Sequence, residues 1–232
     1  MIRVRRSDER GRGRFDWLDS RHTFSFADYF DPNQMGFRAL RVINEDRIAP
    51  GSGFPSHPHR DMEIITYVLE GAVAHKDSLG NGSVIRPGDV QRMSAGTGII
   101  HSEFNASSTE PLHLLQIWIM PNERGIAPGY EQEPFDRGSA RGRFALLAAA
   151  KDEGGIVTIS ADARLLVGTF EPHERASFEI AQGRHAWVQM ARGELIMNGQ
   201  ALRAGDGAAI SAERKIDFEA ATAAEVLLFD LA

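Results

Sequence analysis

Cysteine is absent from all 232 residues. That excludes disulfide staples, zinc–thiolate and iron–sulfur centres and any thiol nucleophile, so a metal would have to be held by nitrogen and oxygen ligands. Long apolar runs are missing too. No stretch approaches the roughly 18 consecutive apolar residues of a membrane-spanning helix. The opening MIRVRRSDERGRGRF lacks the apolar segment of an export signal. A soluble, cytoplasmic chain that engages no membrane is expected. Excess positive charge is also lacking: the formal net charge is −6, so the surface as a whole does not attract a phosphate backbone. Arg3, Arg5, Arg6, Arg10, Arg12 and Arg14 make the start locally basic, but Asp8, Glu9 and Asp16 are interleaved with them. This reads as a solvated, salt-bridged edge, and no direct nucleic-acid contact is expected.

Helical periodicity is scarce, and what takes its place is β. Short runs rich in Val, Ile and Phe are punctuated by Gly, Pro, Asn or Asp every ten residues or so, the pattern of an all-β sandwich or barrel. Strands are expected at Ala39–Ile43, Glu63–Leu69, Val84–Ile85, Leu112–Met120, Leu165–Phe170, Ala186–Met190 and Val226–Leu231. Leu79-Gly80-Asn81-Gly82 and Met197-Asn198-Gly199-Gln200 read as hairpin turns in which Asn-Gly supplies positive φ. A weak repeat organises the whole. Glu70-Gly71 followed by Arg86-Pro87-Gly88-Asp89 is echoed by Arg192-Gly193 followed by Arg203-Ala204-Gly205-Asp206, which implies two homologous barrels. The expected division is residues 1–122, a polar connector at 123–143 rich in glycine and proline, and residues 144–232.

The first half carries two i, i+2 pairs, His57-Pro58-His59 and His101-Ser102-Glu103. Side chains alternate along an extended strand, so members of a pair point the same way about 6–7 Å apart at the α-carbon. Two such pairs on facing strands make a cage of three imidazoles and a carboxylate. Pro58 reinforces the geometry by biasing His57 toward the extended region. This donor set suits one divalent transition metal, iron, copper, nickel, manganese or zinc, with positions open for small molecules. Glu63 shares the parity of the first pair but lies roughly 13 Å along an unbroken strand from His59, so Glu103 is the expected carboxylate ligand and Glu63 a solvated or supporting group. Offsets counted from Gly193 and Asp206 place Glu179, Ala181, Phe218 and Ala220 at the equivalent points of the second half, which is no ligand set. His22 is expected to pack, and His75, His113, His173 and His185 to be structural.

Gly51 x5 His57 x His59 x3 Glu63 x7 Gly71 and Gly98 x2 His101 x3 Asn105 are similar to the two cupin motifs. The strings His57-Pro-His59-Arg60, Leu69-Glu-Gly71, Ser94-Ala-Gly-Thr-Gly-Ile-Ile-His101-Ser-Glu103 and Leu115-Gln-Ile-Trp118 more specifically resemble the pirin family, over nearly the whole chain. The resemblance implies a bicupin, two jelly-roll β-barrels in one chain, with the metal in the N-terminal barrel on His57, His59, His101 and Glu103 and iron as the first candidate ion. It further implies a quercetin 2,3-dioxygenase activity on a flavonol and O2, in which Glu103 both ligates the metal and takes the 3-hydroxyl proton. The alternative implied is a metal-containing regulator that binds a transcription factor or a metabolic enzyme. Because the duplicated barrel satisfies the pairing that single cupins obtain by dimerising, a monomer is expected.

Overall fold

The structure, a computed structural model, describes residues 1–232. The strands are β1 (Ile2–Arg5), β2 (Gly11–Phe15), β3 (Leu18–His22), β4 (Leu40–Ile48), β5 (Gly53–His59), β6 (Glu63–Glu70), β7 (Val73–Asp77), β8 (Gly82–Ile85), β9 (Asp89–Ser94), β10 (Ile99–Asn105), β11 (Leu112–Ile119) and β12 (Gly129–Pro134). They continue as β13 (Phe144–Ala149), β14 (Val157–Thr158), β15 (Ala163–Phe170), β16 (Arg175–Glu179), β17 (His185–Arg192), β18 (Glu194–Met197), β19 (Gln200–Arg203), β20 (Gly207–Ile210), β21 (Lys215–Ala220) and β22 (Ala224–Leu231). Only two short 3-10 turns interrupt this all-β pattern. No helix is long and apolar enough to cross a membrane.

Two compact units divide the chain, and each is discontinuous in sequence. One comprises Gly11–Phe135 with Ile156–Ala161; the other comprises Met1–Arg10, Asp136–Gly155 and Asp162–Ala232. The first unit has a seven-stranded sheet ordered β12-β9-β6-β11-β4-β3-β2 and a four-stranded sheet ordered β5-β10-β7-β8. In the second, β1-β20-β17-β22-β15-β13 are consecutive neighbours and β16-β21-β18-β19 form the small sheet. From β12 to β3 the first order corresponds strand for strand with β1 to β13 in the second, and the two small sheets correspond throughout, which is the repeat seen in the sequence.

The register explains that repeat residue by residue. Gly71 has φ +76°, and a Cβ there would lie 2.6 Å from the Pro111 carbonyl oxygen; Gly193 has φ +73°, and a Cβ there would lie 2.0 Å from that of Ala223. Only glycine fits both demands. Asp89 accepts from the Arg86 amide at 2.9 Å and Asp206 from the Arg203 amide at 3.2 Å, so the aspartate of each Gly-Asp turn ties down its own loop.

Some details differ from the sequence reading. Residues 129–134, inside the expected connector, form β12 and pair with β9; a polar strand with a terminal proline is what a sheet edge tolerates. Residues 2–5, expected in the first barrel, instead pair with β20 as the edge of the second unit's sheet, and the Arg6 guanidinium meets the buried carboxylate of Asp206 at 2.8 Å rather than a neighbouring acid. The Met197–Gln200 hairpin turns on positive φ at Asn198 (45°) and Gly199 (79°), as expected. The Asp77–Gly82 turn does not use Asn81 in that way. There the Asp77 carboxylate accepts from the amides of Leu79 (2.9 Å) and Asn81 (3.0 Å), an Asx-type closure.

Candidate metal centre and its cavity

Strand β10 is the key element. Its burial alternates, with Ile99, His101, Glu103 and Asn105 inward and Ile100 and Phe104 outward, as period-two side-chain geometry requires. His101 pairs with His57 across β5 and Ile99 with His59, while a register shift sets Glu103 opposite Phe54. The bulge lets His101 and Glu103 of β10 and both histidines of β5 face one space.

The three imidazoles converge. Ring centroids are 4.8 Å apart for His57 and His59, 4.5 Å for His57 and His101, and 4.8 Å for His59 and His101. Ring nitrogens of all three lie within 4.8 Å of one another. The Nδ1–H of His57 donates to the Pro55 carbonyl at 2.8 Å, which directs the Nε2 lone pair inward. That Nε2 sits 3.0 Å from Nε2 of His101. Burial, then the nearby His57, pushes His59 down to about 4; burial, then His57, His59 and His75, pushes His101 down to about 2. These rings are therefore neutral at physiological pH, as ligands must be. Convergent ring nitrogens, that of His57 directed inward by its bond to Pro55, fit a divalent cation.

Glu103 lies at the edge of this group. Its carboxylate accepts from Gln116 Nε2 at 2.7 and 2.6 Å and from the Thr66 hydroxyl at 3.2 Å. Burial raises its pKa against the lowering effects of His75 and of these donors. Its oxygens come within ligand distance of His101 and His75 rather than of all three cage histidines. His75 is buried, with Nε2 3.3 Å from the Asp77 carboxylate. It stands beside the cage, its ring centroid 5.4 Å from that of His101, where the sequence led only to a structural role.

Glu63 is neither solvated nor turned to the cage. It is fully buried and accepts from the Ser94 hydroxyl at 2.8 Å, while its neighbour Ile64 lines the cavity. Counting parity from His59 fails because Asp61, at φ 49°, turns the corner between β5 and β6. His113 is bonded to Glu45 at 3.0 Å and His185 to Ser211 at 2.8 Å, both structural pairings.

The histidines open onto a cavity of about 390 Å³. Phe26, Tyr29, Phe54 and Trp118 supply flat apolar walls; Trp118 meets His59 edge-on at 4.9 Å and Phe26 at 5.4 Å. His22, expected only to pack, is part of this lining as well as lying edge-on to Phe26 at 5.2 Å. Asn44, Asp46 and Gln116 also line it. Sequence reasoning did not single them out, because polar residues within strands take their meaning from cross-strand partners distant in sequence.

In the second unit the strand pairing identifies the counterparts. Ala176 pairs with Phe218 on β21 as His57 pairs with His101, and Phe178 pairs with Ile216 as His59 pairs with Ile99. The positions equivalent to the first pair are thus Ala176 and Phe178, not the Glu179 and Ala181 that counting back from Gly193 gives. The loop between β16 and β17 is longer than that between β5 and β6, which displaces the count. Phe218 and Ala220 hold the other two places. The conclusion that no ligand set exists there stands.

Residues 3–119 match the Pirin family and residues 146–231 match the quercetinase C-terminal cupin domain. A protein of Escherichia coli (strain K12) named quercetin 2,3-dioxygenase is 50% identical over 231 residues, covering 100% of this chain and 99% of that relative. A putative quercetin 2,3-dioxygenase of Pseudomonas aeruginosa is 45% identical over 233 residues, covering 100% of both. Among solved structures, the E. coli bacterial pirin YhhW in complex with nickel(II) superposes with a TM-score of 0.93 at 49% identity, covering 100% of this chain and 99% of that one. With both barrels matched end to end, the chain belongs to the pirin family.

Proposed function

We propose that this chain is a metal-dependent dioxygenase that opens the heterocycle of a flavonol such as quercetin with O2. The observation that carries the reading is the convergence of His57, His59 and His101 beside the buried Glu103, on a cavity with aromatic walls. The names of the relatives at 50% and 45% identity support the reaction class.

His57, His59, His101 and Glu103 would hold one divalent transition ion. Iron is the first candidate, and the nickel(II) complex of the related pirin is in keeping with this donor set. When bound, the ion supplies Lewis acidity toward a substrate oxygen and a redox-capable centre for chemistry with dioxygen. The residues supply the rest. Trp118, Phe26 and Phe54 wall the cavity with apolar surface against which a flat ring packs, excluding water. Glu103, desolvated and therefore a stronger base than a surface carboxylate, takes the proton of the flavonol 3-hydroxyl. Gln116 and Thr66 hold that carboxylate in one orientation throughout.

The test is metal analysis of the purified protein with oxygen uptake on quercetin, for wild type and Glu103→Gln. About one transition metal per chain and oxygen consumption that the variant lacks supports the enzyme. Metal without oxygen consumption on any flavonol refutes it in favour of a metal-dependent regulator.

A further inference from the structure

The share of the cavity contributed by the large sheet contains a second polar group that the reaction as described does not use. On β4, Asn44 and Asp46 are an i, i+2 pair facing the cavity. The register places Asn44 opposite Gln116 on β11 and Asp46 opposite Ser20 on β3. All three residues, Ser20, Asn44 and Asp46, are at least 95% buried. The Ser20 hydroxyl donates to one oxygen of Asp46. The side-chain oxygen of Asn44 is buried and has no hydrogen-bond partner.

Buried acceptors in folded proteins are almost always satisfied, and an exception calls for a reason. Asn44 is such an exception, and beside it Asp46 turns to the same cavity a carboxyl of which Ser20 bonds one oxygen. An apolar ligand would leave the Asn44 oxygen unsatisfied, and a ligand with O–H donors would satisfy it. Asn44 is one strand away from Gln116, the residue that holds Glu103, and Asp46 is on the same strand; a ligand reaching from Glu103 to this pair spans roughly 5–10 Å at ordinary strand spacing. A flavonol, which carries hydroxyls on rings at both ends of the molecule, covers that span.

We infer that Asn44, Asp46 and Ser20 form a hydroxyl-receiving subsite for a phenolic group of the substrate remote from the reacting centre, which makes the chain selective for polyhydroxylated over bare flavonols. The inference rests on the flavonol reading above and specifies it. Ser20 fixes the Asp46 carboxyl, Asn44 and Asp46 take the phenolic hydrogens, and the aromatic walls hold the rings.

The experiment is anaerobic binding to the metal-loaded protein, followed by tryptophan fluorescence, with quercetin and with 3-hydroxyflavone, which keeps the reacting hydroxyl and lacks the others. Wild type is expected to bind quercetin at least about tenfold more tightly, the scale of one or two buried hydrogen bonds. Asn44→Leu and Asp46→Leu bring the two ligands within about twofold of each other by weakening quercetin alone; Asp46→Asn, which can still bond a hydroxyl, retains most of the preference. In turnover the Leu variants raise KM for quercetin by a larger factor than KM for 3-hydroxyflavone. Equal binding of both ligands by wild type overturns the subsite while leaving the flavonol reading intact, and it does so even if a variant fails to fold. Equal weakening of both ligands in folded variants also overturns it. No binding of either ligand refutes the subsite and the flavonol reading together.

Discussion

The two barrels share an order of strands and differ in what fills them. In the first, the inward positions of β5 and β10 carry His57, His59, His101 and Glu103, and the interior stays open. In the second, Ala176, Phe178, Phe218 and Ala220 stand in those places, and Phe144 meets Phe218 at 5.0 Å and Phe170 at 5.6 Å. One interior keeps polar groups and space at a cost in stability. The other trades both for packed aromatic surface. A barrel of this kind can be built either way, so the open polar interior of the first is a functional commitment rather than a requirement of the fold.

Exchanging the contents tests that contrast. His101→Phe, which installs the second barrel's residue in the first, is expected to reduce bound metal to near zero and oxygen uptake on quercetin by at least about 100-fold, with strand content by circular dichroism unchanged. Phe218→Ala, which opens the second interior, should cost about 3–5 kcal/mol in urea unfolding without changing metal content; metal loss would show that the two interiors are not separable in function. Asp46 gives the contrast a pH signature. Burial, with Glu103 adding to it, pushes its carboxyl up from 3.8 to about 7 despite the Ser20 hydrogen bond. A folded pKa above the unfolded one means that stability declines as pH rises from about 4 to about 7, by an upper bound of about 4 kcal/mol. Asp46→Asn should flatten that slope in unfolding measured across the range. The smallest effect expected is from Gln116→Leu: loss of the donors to Glu103 lowers kcat about 10-fold, whereas Phe or Leu at interior positions of the second barrel is already the native state.

The paired histidines were legible because a strand converts i, i+2 spacing into a common direction, and no packing detail is needed to see it. All seven expected strands lie within or closely overlap observed ones for the same reason. Glu63 was harder, since parity cannot be carried through Asp61, whose left-handed backbone resets it. The second barrel's counterparts were misplaced by a loop whose length differs between the repeats. Asn44, Asp46 and Gln116 were invisible because their meaning comes from cross-strand partners distant in sequence. The edge strand β12 looked like a connector because sheet edges and connectors favour the same residues.

The strand at residues 2–5 has a consequence for how the molecule is made. Its partner, Gly207–Ile210, lies near the other end of the sequence, so residues 2–5 cannot pair until almost all of the residues between them have been made. Such a contact has nearly the greatest sequence separation the chain allows and closes late in folding. A fragment beginning at residue 144 would lack this strand and leave the flank of β20 uncovered, a template for aggregation, whereas adding back a peptide of the first ten residues should restore its solubility.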